Sequence, residues 1–251
     1  MKGVLLMKKT GLAVFIIFAA CSLFGAATTS ERCALAEKYI EDRYLDWSLV
    51  DKGGTELEGL LKEEQNNLKA NLLLSRVWIF RGDKAASNDE KIKCYDKAAE
   101  LGKAAMVIDP NSADAHFYYA AGIGRNAQLK GIFNALGVVG EVKKEMDRTI
   151  ELDPKHVIGL NALAQYYMEV PGIFGGSIEK SEELLLRAKE IDPNQSMTYV
   201  TLATVYMRQG KRDKAKDLCG FVLNMKEPTK KAYYILNDKP EAERLLRELS
   251  R

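Results

Sequence analysis

Gly122, Gly124 and Ala127 stand at the spacing of a dinucleotide-binding fingerprint. That chemistry requires a strand, a tight turn and a helix N-terminus aimed at pyrophosphate. Here the three residues follow a helical run, so their spacing reads as helix packing. No phosphate-binding P-loop and no nucleophile elbow occurs in the chain. His116 and His156 are 40 residues apart, without the (i, i+4) spacing of a helical zinc pair. His116 falls at a packing position and His156 is expected on the surface. The adjacent carboxylates Glu63-Glu64 and Glu182-Glu183 do not share a helix face, which disfavours paired acid–base work. Beyond Cys21 the chain holds Cys33, Cys94 and Cys219, an odd number with no CxxC pair. A complete disulfide framework or a thiolate-rich metal site is therefore not expected, and the cysteines read as small buried apolar residues. These residues predict a noncatalytic protein that needs no cofactor and no metal.

The 251 residues, 47% of them hydrophobic and 29% charged, suffice for one large domain or two small ones. That composition excludes a disordered or collagen-like chain. Lys and Arg number 37 against 35 Asp and Glu, a formal net charge of +2 that leaves no basic footprint for nucleic acid.

Strand signals are nearly absent, whereas apolar residues recur every three or four positions from about residue 31 onward, as helices with one buried stripe require. The punctuation is regular: Ile108-Asp109-Pro110-Asn111, Leu152-Asp153-Pro154-Lys155, Ile191-Asp192-Pro193-Asn194 and a looser Lys226-Glu227-Pro228. The residue before proline avoids the α region, so each Asp-Pro ends one helix and can open the next. The four prolines are separated by 44, 39 and 35 residues, against about 34 for a tetratricopeptide (TPR) unit of two antiparallel helices.

After Pro193, Tyr199, Leu202, Ala203, Tyr206, Gly210 and Ala215 follow the TPR pattern of large and small residues. Leu160, Leu163, Ala164, Tyr167, Leu185 and Ala188 follow it after Pro154, and His116, Tyr119, Ala120 and Ile123 after Pro110. Leu74, Ser75, Trp78 and Gly82, with Ala98, Gly102 and Ala105, make a further pair upstream. The fold class expected is all-α, a TPR-type α-solenoid of antiparallel helix pairs at about 31–66, 67–110, 111–154, 155–193 and 194–228. The first pair rests on Ala34, Ala36, Tyr39, Ile40, Tyr44 and Leu45. The charged helix from Lys230 to Leu249 suits a terminal cap at about 230–250.

If the paired helices keep their usual length, the surplus in the middle repeats falls in two apolar loops, Gly131 to Gly140 and Pro171 to Gly176. Both contain Gly-Ile-Phe, with Phe133 and Phe174 as the aromatic residues. As intra-pair turns of successive repeats they should be neighbours, either tucked against each other or forming the rim of a ligand or partner site.

Residues 1–27 have the layout of a secretory signal peptide, with Lys2, Lys8 and Lys9 ahead of the apolar Gly11 to Ala20 and small residues at Gly25, Ala26 and Ala27. Two processing routes fit. Phe18-Ala19-Ala20-Cys21 resembles a bacterial lipobox, which would make Cys21 a lipidated first residue and a membrane tether; Gly25 and Ala27 suit ordinary signal peptidase. Residues 28–251 then form the repeat domain.

His116 to Gly122, the repeat after Pro154, the Pro171 to Ser177 turn with Glu179-Lys180-Ser181, and Tyr95-Asp96-Lys97-Ala98 together resemble the T component of TRAP transporters, a family of bacterial periplasmic TPR lipoproteins. The resemblance spans about residues 50–228. It implies a periplasmic accessory, lipid-anchored in the envelope if Cys21 is modified, that binds the transporter's solute-binding protein and handles an apolar ligand in its helical groove. Self-association is compatible with it. No family residue set for chemistry carries over.

The concave face of such a solenoid comes from one side of the first helices. Here that side presents Leu72, Arg76, Ile79 and Phe80, then Phe117, Ala121, Gly124 and Arg125, then Asn161, Gln165, Met168 and Glu169, and finally Val200, Thr204, Met207 and Arg208. Arg76, Arg125 and Arg208 are placed to meet a carboxylate. As partner- or ligand-binding residues the groove contributes Arg76, Phe80, Phe117, Arg125, Gln165, Met168, Thr204, Met207 and Arg208, and the loop edge adds Phe133 and Phe174. The alternatives to a protein-binding role are a carrier of a small apolar ligand or lipid, with Phe80, Phe117, Met168 and Met207 lining its cavity, and an envelope assembly scaffold.

Overall fold

The computed structural model describes residues 27–130 and 132–251, and for 132–136 the backbone alone. Helices α1 (Thr29–Glu41) and α2 (Ser48–Glu63), α3 (Leu68–Lys84) and α4 (Asn88–Ile108), α5 (Ala113–Leu129) and α6 (Ile132–Leu152), α7 (Val157–Glu169) and α8 (Ile178–Ile191), and α9 (Ser196–Arg208) and α10 (Arg212–Leu223) follow one another as antiparallel pairs. A three-residue helix α11 (Lys231–Tyr233), a π-helical segment Tyr234–Asp238 and α12 (Lys239–Leu249) complete the chain. The described residues contain no strand. The pairs coincide with the five expected from the proline punctuation.

Each Asp-Pro junction is built the same way. Asp109, Asp153 and Asp192 each accept the backbone N–H two residues on, from Asn111, Lys155 and Asn194, at 2.9 Å. Such a side-chain-to-backbone bond offers the chain an alternative to continuing the helix. The carbonyl of the proline is then claimed by a side chain. His116 Nε2 approaches that of Pro110 at 2.9 Å and the Tyr199 hydroxyl donates to that of Pro193 at 2.8 Å, both six residues further on. Pro154 has Leu160 at that offset, and Arg187 of α8 bonds its carbonyl instead. Upstream, Thr28 with Glu31 and Ser87 with Glu90 form reciprocal capping boxes at the starts of α1 and α4.

Small residues bring the helices together. Ala98, Ala105, Ala120, Ala164, Ala188, Ala203 and Ala215 are all fully buried. Gly122 of α5 lies so close to α4 that an added Cβ would stand 2.7 Å from the Ala99 nitrogen. The apparent fingerprint Gly122-x-Gly124-x-x-Ala127 is thus a helix–helix contact. Because every pair packs mainly on its neighbours, the core is a succession of clusters along the solenoid, from α1–α4, through Ala120, Met146 and Leu163, to α9–α12.

The surplus residues are accommodated in two ways. Residues 132–140 are not a loop: α6 begins at Ile132 and runs for 21 residues. Its apolar residues recur at helical spacing, Val139 and Val142 pack toward Met146 and Leu163, and this burial outweighs the roughly 1 kcal/mol that each interior glycine costs. The side chain of Phe133 lies outside the described residues, as does Cys21 with all of residues 1–26. Pro171 to Gly176 does form a turn, with a 3₁₀ segment Gly172–Phe174 and Gly175 at φ 95°, where a side chain would be strained. Of the residues on which the first pair rests, Ala36 and Ile40 are buried, whereas Ala34 and Leu45 are exposed, Leu45 lying beyond α1 at the end of the 3₁₀ turn Asp42–Tyr44.

α12 buries Ala242, Leu245 and Leu249 against α9 and α10 and keeps its charges outward. Among the described residues no helix is long and apolar enough to cross a membrane. Cys33 and Cys219 are buried and Cys94 half-buried, all as free thiols.

Candidate partner-binding groove

The three groove arginines already have carboxylates, and they belong to the same chain. Arg76 Nη2 of α3 lies 2.7 Å from Glu41 Oε1 at the end of α1; Arg125 of α5 pairs with Asp83 near the end of α3; Arg208 of α9 lies 2.5 Å from Glu169 at the end of α7. Each pair ties the first helix of one repeat to the first helix of the repeat before it. The carboxylates that face these arginines are therefore the chain's own. Burial acts to raise the pKa of Glu41, but Arg76 and Lys230 outweigh it and hold the carboxyl below its ordinary value.

Around Arg76 the groove is aromatic. Phe80 is buried under two guanidinium groups, Arg43 at 4.1 Å and Arg76 at 5.4 Å from its ring centre. Tyr233 meets Phe80 edge-on at 5.7 Å and lies 4.7 Å from Arg43. Phe117 packs edge-on against Tyr118 at 5.1 Å and, tilted, against the His156 ring at 5.4 Å. Arg125 also lies 5.8 Å from the ring centre of Tyr95, whose hydroxyl donates to Asp83 at 2.8 Å. Burial pushes Tyr233 up, opposed by Arg76, Arg125 and Arg43.

In the second half of the solenoid Gln165 is exposed, Met168 is half-buried against the C-terminal cluster, and the Thr204 hydroxyl bonds back to the Val200 carbonyl at 3.1 Å. Thr204, Met207 and Arg208 line an open cleft of about 320 Å³ that is completed by Arg212, Arg244, Leu245, Glu248 and Leu249. Phe80 and Phe117 thus belong to the aromatic end of the groove and Met207 to a charged cleft at the other, so the four residues expected to line one apolar cavity are not gathered in one. At the intra-pair turn Ile173 is 88% and Phe174 46% exposed.

The histidines complete the inventory. His116 is buried, with Nδ1 2.5 Å from Glu145 Oε2 and Nε2 facing the Pro110 carbonyl. A carbonyl only accepts, so Nε2 is the donor to Pro110. His156 is not the exposed residue expected: its Nδ1 accepts the Gly159 N–H as the N-cap of α7, and its Nε2 lies 3.0 Å from Asp114. Among the described residues no group of three or more His, Cys, Asp or Glu is placed to hold a metal ion.

Sequence reasoning missed Arg43, Glu41 and Tyr233 as groove residues. Tyr233 reaches the groove from the far end of the chain, and no local periodicity encodes such a contact.

Residues 42–173, from the 3₁₀ turn through the Pro171 turn, match the family described as regulator of microtubule dynamics protein 1-3. The chain belongs to this family. The matched region of the regulator of microtubule dynamics fold holds Arg43, Phe80, Phe117 and Arg125. No curated protein matches. Among solved structures, a thermophilic TPR protein of Thermus thermophilus is similar at 15% identity and TM-score 0.65, covering 86% of this chain and all of that one. PilW, a type IV pilus biogenesis factor, aligns at 17% identity and TM-score 0.54, covering 89% and 94% of the two chains. Pseudomonas aeruginosa pilF aligns at 12% identity and TM-score 0.52, covering 88% and 92%. At these identities the likeness is one of fold: this member of the regulator of microtubule dynamics family is a TPR-type solenoid.

Proposed function

We propose that the protein is a noncatalytic TPR adaptor that holds a segment of a protein partner along its concave face and the adjoining Ile173–Phe174 edge. The observation that carries this reading is the combination of an arginine- and aromatic-lined groove with an apolar tip at Ile173 and Phe174 that the described residues leave uncovered. Exposed apolar tips of this kind are where interfaces place their anchors. The architecture supports it, since TPR-type neighbours share the fold throughout.

The finer reading combines this adaptor with the sequence. The lysine-led apolar segment of residues 1–27 favours export, with Cys21 as the lipidation candidate, and the T-component resemblance makes a TRAP solute-binding protein the partner. Family membership favours a second reading, in which the partner is part of the microtubule machinery that the family's name denotes.

Crosslinking in the native cell, followed by affinity capture and mass spectrometry, tests both. Recovery of a solute-binding protein supports the first partner and recovery of tubulin-associated proteins the second. Phe174→Asp should reduce capture at least tenfold with helical content unchanged; undiminished capture would remove the loop edge from the interface.

A further inference from the structure

The groove of the first repeats is not empty. The chain between α10 and α11, Asn224 to Lys230, carries Pro228 and crosses back over the solenoid. Thr229 pins it to the turn between α8 and α9, its N–H donating to the Asn194 carbonyl at 3.0 Å and its hydroxyl to Asp192 Oδ1 at 2.9 Å. Beyond this anchor Lys230 Nζ lies 3.4 Å from Glu41 Oε1, Lys231 Nζ lies 5.0 Å from the Tyr44 ring, and Tyr233 sits beside the Arg43–Phe80 stack, 4.7 Å from the guanidinium and 5.7 Å from the Phe80 ring centre. Residues 189 apart in sequence are thereby in contact.

The way this segment is held resembles the way a bound peptide is held. α11 is three residues long and buries only Ala232 among them, and a π-helical segment separates it from the cap. Its holdfasts are a single-point ion pair with half-exposed partners, cation–ring contacts, and the packing of the half-buried Tyr233 ring on Phe80 and the α1–α4 cluster, groups that another chain can supply equally well. Meanwhile Arg43 is 3% exposed, and its own bond goes to the Ile40 carbonyl while its guanidinium plane is offered to rings.

We propose that Lys230–Tyr233 is an internal pseudo-ligand that occupies the concave groove, and that the partner segment which displaces it is a helical stretch carrying a lysine three residues before an aromatic residue. This deepens the adaptor reading and rests on it: the groove recognises one cation through Glu41 and one ring through Arg43 and Phe80, and it is closed until such a segment outcompetes the chain's own.

The test uses the full chain and a fluorescent peptide of its own residues 226–238, followed by anisotropy. The wild type should bind the peptide weakly, because its groove is filled. Tyr233→Ala and, independently, Lys230→Glu should bind it at least tenfold more tightly, whereas Tyr233→Phe, which keeps the ring, should behave as the wild type. Adding Arg43→Met to Tyr233→Ala should cancel the gain. Equal binding by wild type and both opened variants, or a gain that survives Arg43→Met, would overturn the proposal. Should Tyr233→Ala lose helical content, Lys230→Glu, at a half-exposed site, carries the comparison. Crosslinked capture of a partner by the wild type, alongside a failed peptide experiment, would refute the pseudo-ligand alone and leave the adaptor standing.

Discussion

His116 and Glu145 form the most consequential pair of single residues in the middle of the solenoid. Both are buried, and the imidazole is held from two sides, by a carboxylate on α6 and by the Pro110 carbonyl. Removing one member of such a pair leaves the other buried without its partner, which costs about 3–5 kcal/mol, whereas replacing both with apolar residues is often near neutral. His116→Leu should therefore lower the unfolding free energy in urea by about 3 kcal/mol, and His116→Leu combined with Glu145→Met should recover most of it. A double variant no better than the single would show that packing, and not the orphaned carboxylate, dominates. At this scale the sequence was half legible. The position of His116 in the packing pattern was readable from its place six residues after Pro110, but Glu145 was not, because the partner of a buried polar group is set by which helices adjoin. His156 was misread for a related reason: a histidine just after Asp-Pro looks exposed until its ring is seen serving as the cap of α7.

Elements were far more legible than contacts. Helix ends are written locally, in Asp-Pro-x turns and in Ser/Thr-x-x-Glu boxes, and the small residues that let helices approach recur at fixed offsets from the prolines. The exception is the stretch 132–140, read as a loop on the premise that paired helices keep their usual length; the surplus instead lengthens α6, because its apolar residues have a neighbouring core to join. The seat of the cap on α9 yields a pH prediction. Asp238 is buried and accepts the Ser196 hydroxyl at 2.6 Å. Burial pushes its carboxyl up to about 6, with the Ser196 bond pulling the other way. The folded protein therefore retains a proton that the unfolded chain has released, so the stability contributed by this group is complete below the ordinary carboxylate range and is lost as pH rises through about 6. The loss is of the order of 3 kcal/mol. Thermal melts between pH 4 and pH 8 should show it, and Asp238→Asn should flatten that step; an unchanged profile would refute the assignment to Asp238.

For the whole molecule, the solenoid was foreseeable and its closure was not. Repeats stack through nearest neighbours, which sequence periodicity describes well, whereas the meeting of Glu41 with Lys230 depends on the accumulated rotation of every repeat between them. The π-helical segment Tyr234–Asp238 is part of that geometry. Its Lys239 N–H reaches back five residues to the Tyr234 carbonyl, so one residue more than an α-helix needs is wound into the turn between Tyr233 and the buried Asp238. That extra residue sets a phase. An α-helix advances about 100° per residue, so deleting the exposed Asn237 would let the stretch relax to a regular helix and turn Tyr233 by about that angle relative to Leu245 and Leu249. The shortened terminal helix should gain amide-exchange protection along Tyr234–Leu249 while losing the contact with Arg43 and Phe80. The turn thus works as a gear tooth, meshing one end of a spiral with the other, and a protein one residue shorter would keep every repeat and come apart at its seam.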